Sequence, residues 1–377
     1  MLDWQRMNIK LLSKPILVLA LAACTLGAQA QFPDAPSAKI SPTKGVILNI
    51  TALDGHGDPV TDLARDDFQI FDDGKRQTIA SFQAGAAKPV AETPPPSTLI
   101  LFDLLNSNAI NRDYTSTFIV HALEPLETAD NVYLYLLTNR GEVFPVHPFP
   151  LTGTTVGGGT RATTPWTRQV HPLLDQAIQK VYGFRPADDR YPGYRSATTF
   201  QALSMVQDAF AAIPGSKTIV WITSGVSNWP DYPHGCKDTM ITEGSGSYVG
   251  GKCTSNCRRL MKCIDYEPFL QHFTGELNQS NTLLYAAEDL PVGAMPPTDH
   301  GTAADTLRQL ADLTGGRVFL GTNMDKAITE AIKNARGRYQ VTIAAPALDS
   351  KHHKLRVACA RKGVKVDGPR GYWATQP

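Results

Sequence analysis

The sequence predicts an α/β fold: a doubly wound, mostly parallel sheet of Rossmann-like type, with a small antiparallel β-sandwich-like module formed from the N- and C-terminal segments. Three observations carry this expectation. Residues 98–102, 132–137, 218–222 and 282–286 are continuous apolar runs, as in strands covered on both faces, and helical patterns alternate with them. Short strand patterns separated by turn residues cluster at 45–83 and again at 338–374. With 377 residues, 42% hydrophobic and 19% charged, the chain has room for two globular units and lacks the composition of a disordered one.

In chain order, residues 1–30 read as an export signal. Arg6, Lys10 and Lys14 precede the apolar run 16–23, which is too short to span a bilayer. Ala28-Gln29-Ala30 is a small-x-small cleavage site, and Leu21-Ala22-Ala23-Cys24 is a competing lipoprotein box that would anchor the chain through Cys24. The first is preferred, because the residues after Cys24 are mildly apolar rather than a polar tether. Either reading places the mature chain in the periplasm or outside the cell, and no later apolar stretch reaches the ~20 residues of a membrane helix.

Residues 31–44 have linker composition. The first part of the β-module, 45–83, holds three strand patterns, at 46–52, 68–71 and 77–82, broken by turn residues at 54–59 and 72–74. A Pro-rich linker, 84–97, leads into the α/β domain, 98–337. There, 113–126 carries helical spacing until Pro125 limits it. Asn139-Arg140-Gly141 turns the chain into an antiparallel edge strand at 143–146, where Pro145 is tolerated. Residues 152–164 are a Thr/Gly-rich loop, and 201–212 is a helix ended by Pro214-Gly215. A helix at 305–313 stops at Gly315-Gly316; a strand at 317–320 and a helix opened by Thr322 and Asp325 come next. The second part of the module, 338–374, holds strand patterns at 339–343, 354–359 and 364–366.

Charge and cysteines narrow the partners. With 36 basic and 35 acidic side chains the net charge is +1, so no global field attracts nucleic acid or an anionic membrane. Cys236, Cys253, Cys257 and Cys263 crowd into an insert at 226–265, where two disulfides are expected; the pairing stays open. The spacing lacks the close cysteine pairs of a zinc site. Cys359 lies apart, in a strand pattern, and reads as a small buried hydrophobe.

Ligands of an open α/β sheet bind beyond the carboxyl ends of its strands. Asp103-Leu104-Leu105-Asn106-Ser107 comes after the first strand, Ser196-Ala197-Thr198-Thr199 precedes the next helix, and Thr223-Ser224-Gly225 comes after the next strand. Together with Thr314-Gly315-Gly316 these resemble the von Willebrand factor A (VWA) family. Its metal-ion-dependent adhesion site takes D-x-S-x-S from the first loop, a Thr from the second and an Asp from the third. The resemblance implies oxygen ligands for a hard cation at Asp103, Ser107, Thr198 or Thr199, and Ser224. It also implies a degenerate site, because Leu105 replaces the first serine, with Asn106 a displaced substitute, and Ser224 replaces the aspartate. One carboxylate gives at most weak Mg²⁺ or Ca²⁺ binding, so no cofactor is required. The alternative role for Asp103 is a hydrogen-bonding cap. Residues 54–82, 213–225 and 370–372 resemble the acidobacterial VWFA-related domain family, which implies the same fold and an exported chain.

Enzyme signatures are missing: there is no G-x-S-x-G, H-E-x-x-H or strand-borne G-x-G-x-x-G, and Pro214-Gly215-Ser216-Lys217-Thr218 imitates a P-loop end without its first glycine. His352-His353 reads as a solvated hairpin turn, and Asp72-Asp73-Gly74 and Asp54-x-His56-x-Asp58 as turns with at most weak Ca²⁺ affinity. The expected function is an exported protein-binding or adhesion module that meets an envelope or extracellular partner with its strand-end face. The competing expectation is an envelope hydrolase using Asp103 with His234 or Asp238 of the insert.

Overall fold

The computed structural model describes residues 45–84, 94–107, 109–150, 165–182, 192–226, 239–242, 248–249, 252–253, 257–261, 267–289, 300–321, 323–344 and 351–374. The expected export signal with Cys24, the expected linker at 31–44, most of the Pro-rich linker, Cys236, Cys263, His234, Asp238 and Thr322 lie outside them. So do the side chains of Cys253 and Cys257, and with them the disulfide expectation. Among the described residues, no helix is long and apolar enough to cross a membrane.

The first described elements are β1 (Gly45–Leu53), β2 (Phe68–Asp72), β3 (Lys75–Gln77) and β4 (Ile79–Ala84). It continues with β5 (Ser97–Asp103), α1 (Ala109–Leu123), β6 (Val132–Leu137), β7 (Val143–His147), α2 (Val170–Tyr182), α3 (Pro192–Ala211) and β8 (Lys217–Thr223). The insert carries β9 (Thr239–Thr242), β10 (Tyr248–Val249), β11 (Lys252–Cys253) and β12 (Cys257–Met261), in two small hairpin pairs. Then come α4 (Glu267–Gln279), β13 (Thr282–Glu288), α5 (His300–Thr314), β14 (Val318–Phe319) and α6 (Met324–Asn334). The last strands are β15 (Arg338–Ala344), β16 (His352–Cys359), β17 (Lys365–Asp367) and β18 (Gly371–Trp373).

Six strands form a mostly parallel sheet in the order β14-β13-β8-β5-β6-β7, with β7 antiparallel at one edge. The direction of winding reverses between β5 and β8, the mark of a doubly wound sheet. Its central strands are buried on both faces. Ile100, Phe102, Leu134, Val220 and Tyr285 point into a core shared with α1, α2 and α6, while Leu99, Leu101, Tyr133 and Trp221 occupy the alternate positions. On that second side, Phe210 of α3 meets Tyr133 edge-on, and Leu270 and Phe273 of α4 are fully buried.

Two antiparallel sheets of four strands, β17-β1-β15-β4 and β18-β16-β2-β3, share a second core. Each sheet mixes strands from both ends of the chain: β1 lies between β15 and β17, and β16 pairs with β2. Leu48, Ile50, Tyr339, Val341 and Ile343 of one sheet meet Phe68, Ile70 and Leu355 of the other. Between β2 and β3 the chain turns through Asp73 and Gly74, with φ of 46° and 81°, a two-residue hairpin whose hand suits twisted strands.

The two cores are tied at the amino ends of the parallel strands. Arg338, which opens β15, is buried and donates to the carbonyls of Lys217 and Asn281 and to the Thr218 hydroxyl. Burial pushes its guanidinium down to about 10. At the end of α5, Gly315 has φ 82° and accepts the close approach of Asn49 O, and a Cβ on Gly316 would stand 1.8 Å from Leu284 O. Only glycine fits there.

The structure departs from the sequence-based expectation in several elements. α2 and α4 lie where no helix is expected, and α3 begins at Pro192 rather than 201. Val170, Leu174, Ala177 and Val181 are the buried stripe of α2. The helix after β14 starts at Met324 behind Asn323, which makes no side-chain cap. His352-His353 is not a solvated turn: both residues sit in β16, and the His353 side chain is 13% exposed. Asp54 does shape a turn, accepting the amides of His56 and Asp58 at 2.8 and 2.9 Å. Cys359 is a half-buried free thiol packed against the second core.

Candidate functional site

At the reversal point of a doubly wound sheet, the loops after the two diverging strands separate and leave a crevice. Here those strands are β5 and β8, and their last residues, Asp103 and Thr223, meet: Thr223 Oγ1 donates to Asp103 Oδ2 at 2.7 Å. Trp221 Nε1 donates to the same oxygen at 3.3 Å. Asp103 is fully buried, and burial pushes its carboxyl above the usual range while the donors from Asn106, Thr223 and Trp221 pull it back.

Asn106 stands at the centre of the crevice. Its backbone amide donates to Asp103 Oδ1 at 3.0 Å, so the loop folds back on its own carboxylate before α1. Its side-chain Nδ2 donates to Asp103 Oδ2 at 2.7 Å and to Thr199 Oγ1 at 2.9 Å, bridging β5 and α3. Of the two threonines, Thr199 therefore faces the carboxylate. The methyl of Thr198 instead lies 2.0 Å from where a Cβ on Gly141 would be, so the turn between β6 and β7, with φ 81° at Gly141, closes over it.

Ser107 and Ser224 belong to a second group, joined to the first through Thr223. Both hydroxyls donate to the carboxylate of Asp289, the residue just after β13. The Asp289 backbone closes this end: its amide donates to Thr223 O at 3.1 Å, and its carbonyl accepts Asn111 Nδ2 at 2.5 Å. Burial, and to a lesser degree the negative Asp103, push its carboxyl up to about 6, against the two serine hydrogen bonds. The five residues singled out from sequence thus divide: Asp103 and Thr199 meet through Asn106, Ser107 and Ser224 meet through Asp289, and Thr198 packs on the neighbouring turn. Sequence reasoning misses Asp289, although it comes after a buried strand as directly as Asp103 does. His234 and Asp238 lie outside the described residues.

Chemically, this is a buried site in which two carboxylates are held by neutral donors. Each carboxylate is supplied by at least two hydroxyl or amide hydrogens. Among the described residues, no histidine, lysine or cysteine bonds either carboxylate.

No protein-family model matches the chain, and no curated protein matches it. Among solved structures, the human COPII-coat protein Sec24c aligns over 76% of this chain and 44% of its own, with 10% identity and a TM-score of 0.35. The pilus adhesin SpaC from Lactobacillus rhamnosus GG, in its open conformation, aligns over 85% of this chain and 49% of its own, also with 10% identity and a TM-score of 0.35. This chain spans less than half the length of either.

Proposed function

We propose that the chain is an exported VWA-type binding module that engages a protein partner with the crevice face of its six-stranded sheet, and that it does so without a metal ion. The observation that carries this reading is the Asn106 amide, 2.7 Å from Asp103 and 2.9 Å from Thr199. It joins two of the residues to which the VWA resemblance assigns a cation, Asp103 and Thr199. An NH₂ group satisfies both oxygens as a neutral donor, whereas a cation between Asp103 and Thr199 would have to displace it, and the second carboxylate of the crevice, Asp289, is already held by Ser107 and Ser224. The winding reversal between β5 and β8 and the antiparallel edge strand β7 support the VWA assignment. The leader pattern of residues 1–30 and the crowded cysteines support export.

The partner is then recognised by hydrogen bonds and apolar contact at the rim formed by Asn106, Ser224 and the turn at Gly141. Capture from envelope extract should be the same with and without EDTA, and should be lost when Ser224 is replaced by Trp. Capture that EDTA abolishes would refute the metal-free half of the reading. Capture that survives Ser224→Trp would remove the partner from this face. Titration calorimetry separates the metal question from the partner: the natural chain should show no Mg²⁺ binding at this crevice, and Asn106→Asp, which trades the bridging amide for a carboxylate beside Asp103, should acquire it.

A further inference from the structure

Two motifs that look like ordinary turns in the sequence, Asp72-Asp73 and His353, meet in the β-module about 280 positions apart. From this juxtaposition we propose a divalent transition-metal site, with His353 Nδ1, Asp72 Oδ1 and Asp73 Oδ2 as protein ligands and Zn²⁺ or Ni²⁺ as the class of ion. The three atoms converge: Nδ1 is 3.1 Å from Asp72 Oδ1 and 3.2 Å from Asp73 Oδ2, and all three lie within 4.8 Å of one another. An ion about 2.1 Å from each ligand would see N–metal–O angles of roughly 95–100° over those separations, between octahedral and tetrahedral values.

Each ligand is also held from behind. Asp72 accepts the Tyr372 hydroxyl at 2.9 Å through Oδ2, and Asp73 accepts the Lys354 amide at 3.0 Å through Oδ1, so in both carboxylates the other oxygen faces the imidazole. The His353 ring stacks on Tyr372 with centroids 5.0 Å apart and an interplanar angle of 20°. Such outer partners orient ligands in built metal sites. Asp72 and His353 are 7% and 13% exposed, whereas Asp73 is 54% exposed, so water can reach the remaining coordination positions from one flank only.

A proton alone serves this geometry poorly. One Nδ1–H points in one direction, yet two carboxylate oxygens stand at nearly equal distances from it. A divalent ion bonds all three groups at once and neutralises both carboxylates. The mixed nitrogen and oxygen ligands favour Zn²⁺ or Ni²⁺ over Mg²⁺ and Ca²⁺, which prefer oxygen alone. The site lies in the β-module, on β2, its turn and β16, and does not depend on the reading of the crevice.

The test uses the full mature chain, with ZnCl₂ and NiCl₂ as probes, in calorimetry and thermal melting. Zn²⁺ should bind and raise the melting temperature. Asp73→Asn and His353→Gln should each weaken binding at least ~10-fold, and Tyr372→Phe, which frees Asp72 from its outer partner, by about 10-fold. Asp73→Asn alters a half-exposed side chain and should melt like the natural chain without metal, so it decides the matter even if His353→Gln does not fold. Zn²⁺ affinity unchanged in Asp73→Asn would place any bound ion elsewhere, the cysteine-rich insert included, and overturn the proposal. Failure of the natural chain to take up either ion would overturn it equally.

Discussion

Asp289→Asn should make this protein more stable at neutral pH, by an amount set by the burial of a single carboxyl. Asp289 is pushed from 3.8 up to about 6. The folded chain therefore holds this proton to a higher pH than the unfolded chain does. Between about pH 4 and 6 the folded state binds more protons, so stability is present in acid and is lost as pH rises through that window. The difference, 6 − 3.8 = 2.2 units, at about 1.4 kcal/mol per unit, makes the ionised carboxylate a burden of about 3 kcal/mol above pH 6. Asparagine is nearly isosteric and never ionises. Its carbonyl can accept from one serine and its amide can donate to the other, because the hydroxyls of Ser107 and Ser224 rotate. Imperfect hydrogen bonding takes back part of the gain, leaving a net ~1–3 kcal/mol near neutral pH and none near pH 4. Asp103 is raised as well, and removing its negative neighbour eases its own ionisation, a change of the same sign. Urea unfolding of both proteins across this range measures the difference directly. Parallel stability profiles, or a variant less stable than the natural chain at neutral pH, would refute the account of Asp289 as a strained, buried carboxylate.

Asp103→Ala should cost on the order of 3 kcal/mol or more, because it removes the acceptor of the Thr223 hydroxyl, the Trp221 indole N–H and the Asn106 backbone amide, and denaturant melts will measure it. Gly316→Ala should cost on the order of 3 kcal/mol or prevent folding, since its Cβ would overlap Leu284 O, a backbone atom of the central sheet; a variant that melts like the natural protein would show that the end of α5 is free to move. Removing residues 338–374 deletes the partners of β1, β2 and β4 and should give an aggregating product in size-exclusion chromatography.

The parallel sheet is legible in the sequence because β5, β6, β8 and β13 are continuous apolar runs, a pattern that strands covered on both faces require. α2 is not, although Val170, Leu174, Ala177 and Val181 keep helical spacing, because the loop-like stretch before it masks where the periodicity begins. Asp103, Ser107 and Ser224 emerge from inspecting the residues just beyond each strand's carboxyl end. Asp289 occupies the same kind of position but matches no familiar motif, and the role of Asn106 depends on Thr199, 93 positions away. His353 escapes for a similar reason: beside a second histidine and a charged stretch it looks solvated, and only the pairing of β16 with β2 reveals the carboxylates it faces.

The interleaving of the chain's two ends has a consequence for the order of events in folding. The Tyr339 hydroxyl accepts the Leu63 amide and donates to Val60 O, contacts 276 and 279 positions apart. Closing a loop of that length in an open chain costs roughly 5 kcal/mol of entropy before any contact repays it. Once the six-stranded sheet has formed, Ser97 and Arg338 are both fixed at its amino edge, Ser97 through Ser216 and Arg338 through Lys217 and Thr218. Most of that loop is then already closed, and β1 and β15 are delivered to one another. The topology thus predicts that the β-module closes after the six-stranded sheet, like a clasp fastened last. Until residues 338–367 arrive, β1 and β4 lack every strand they pair with, whereas β2 and β3 can close their hairpin alone.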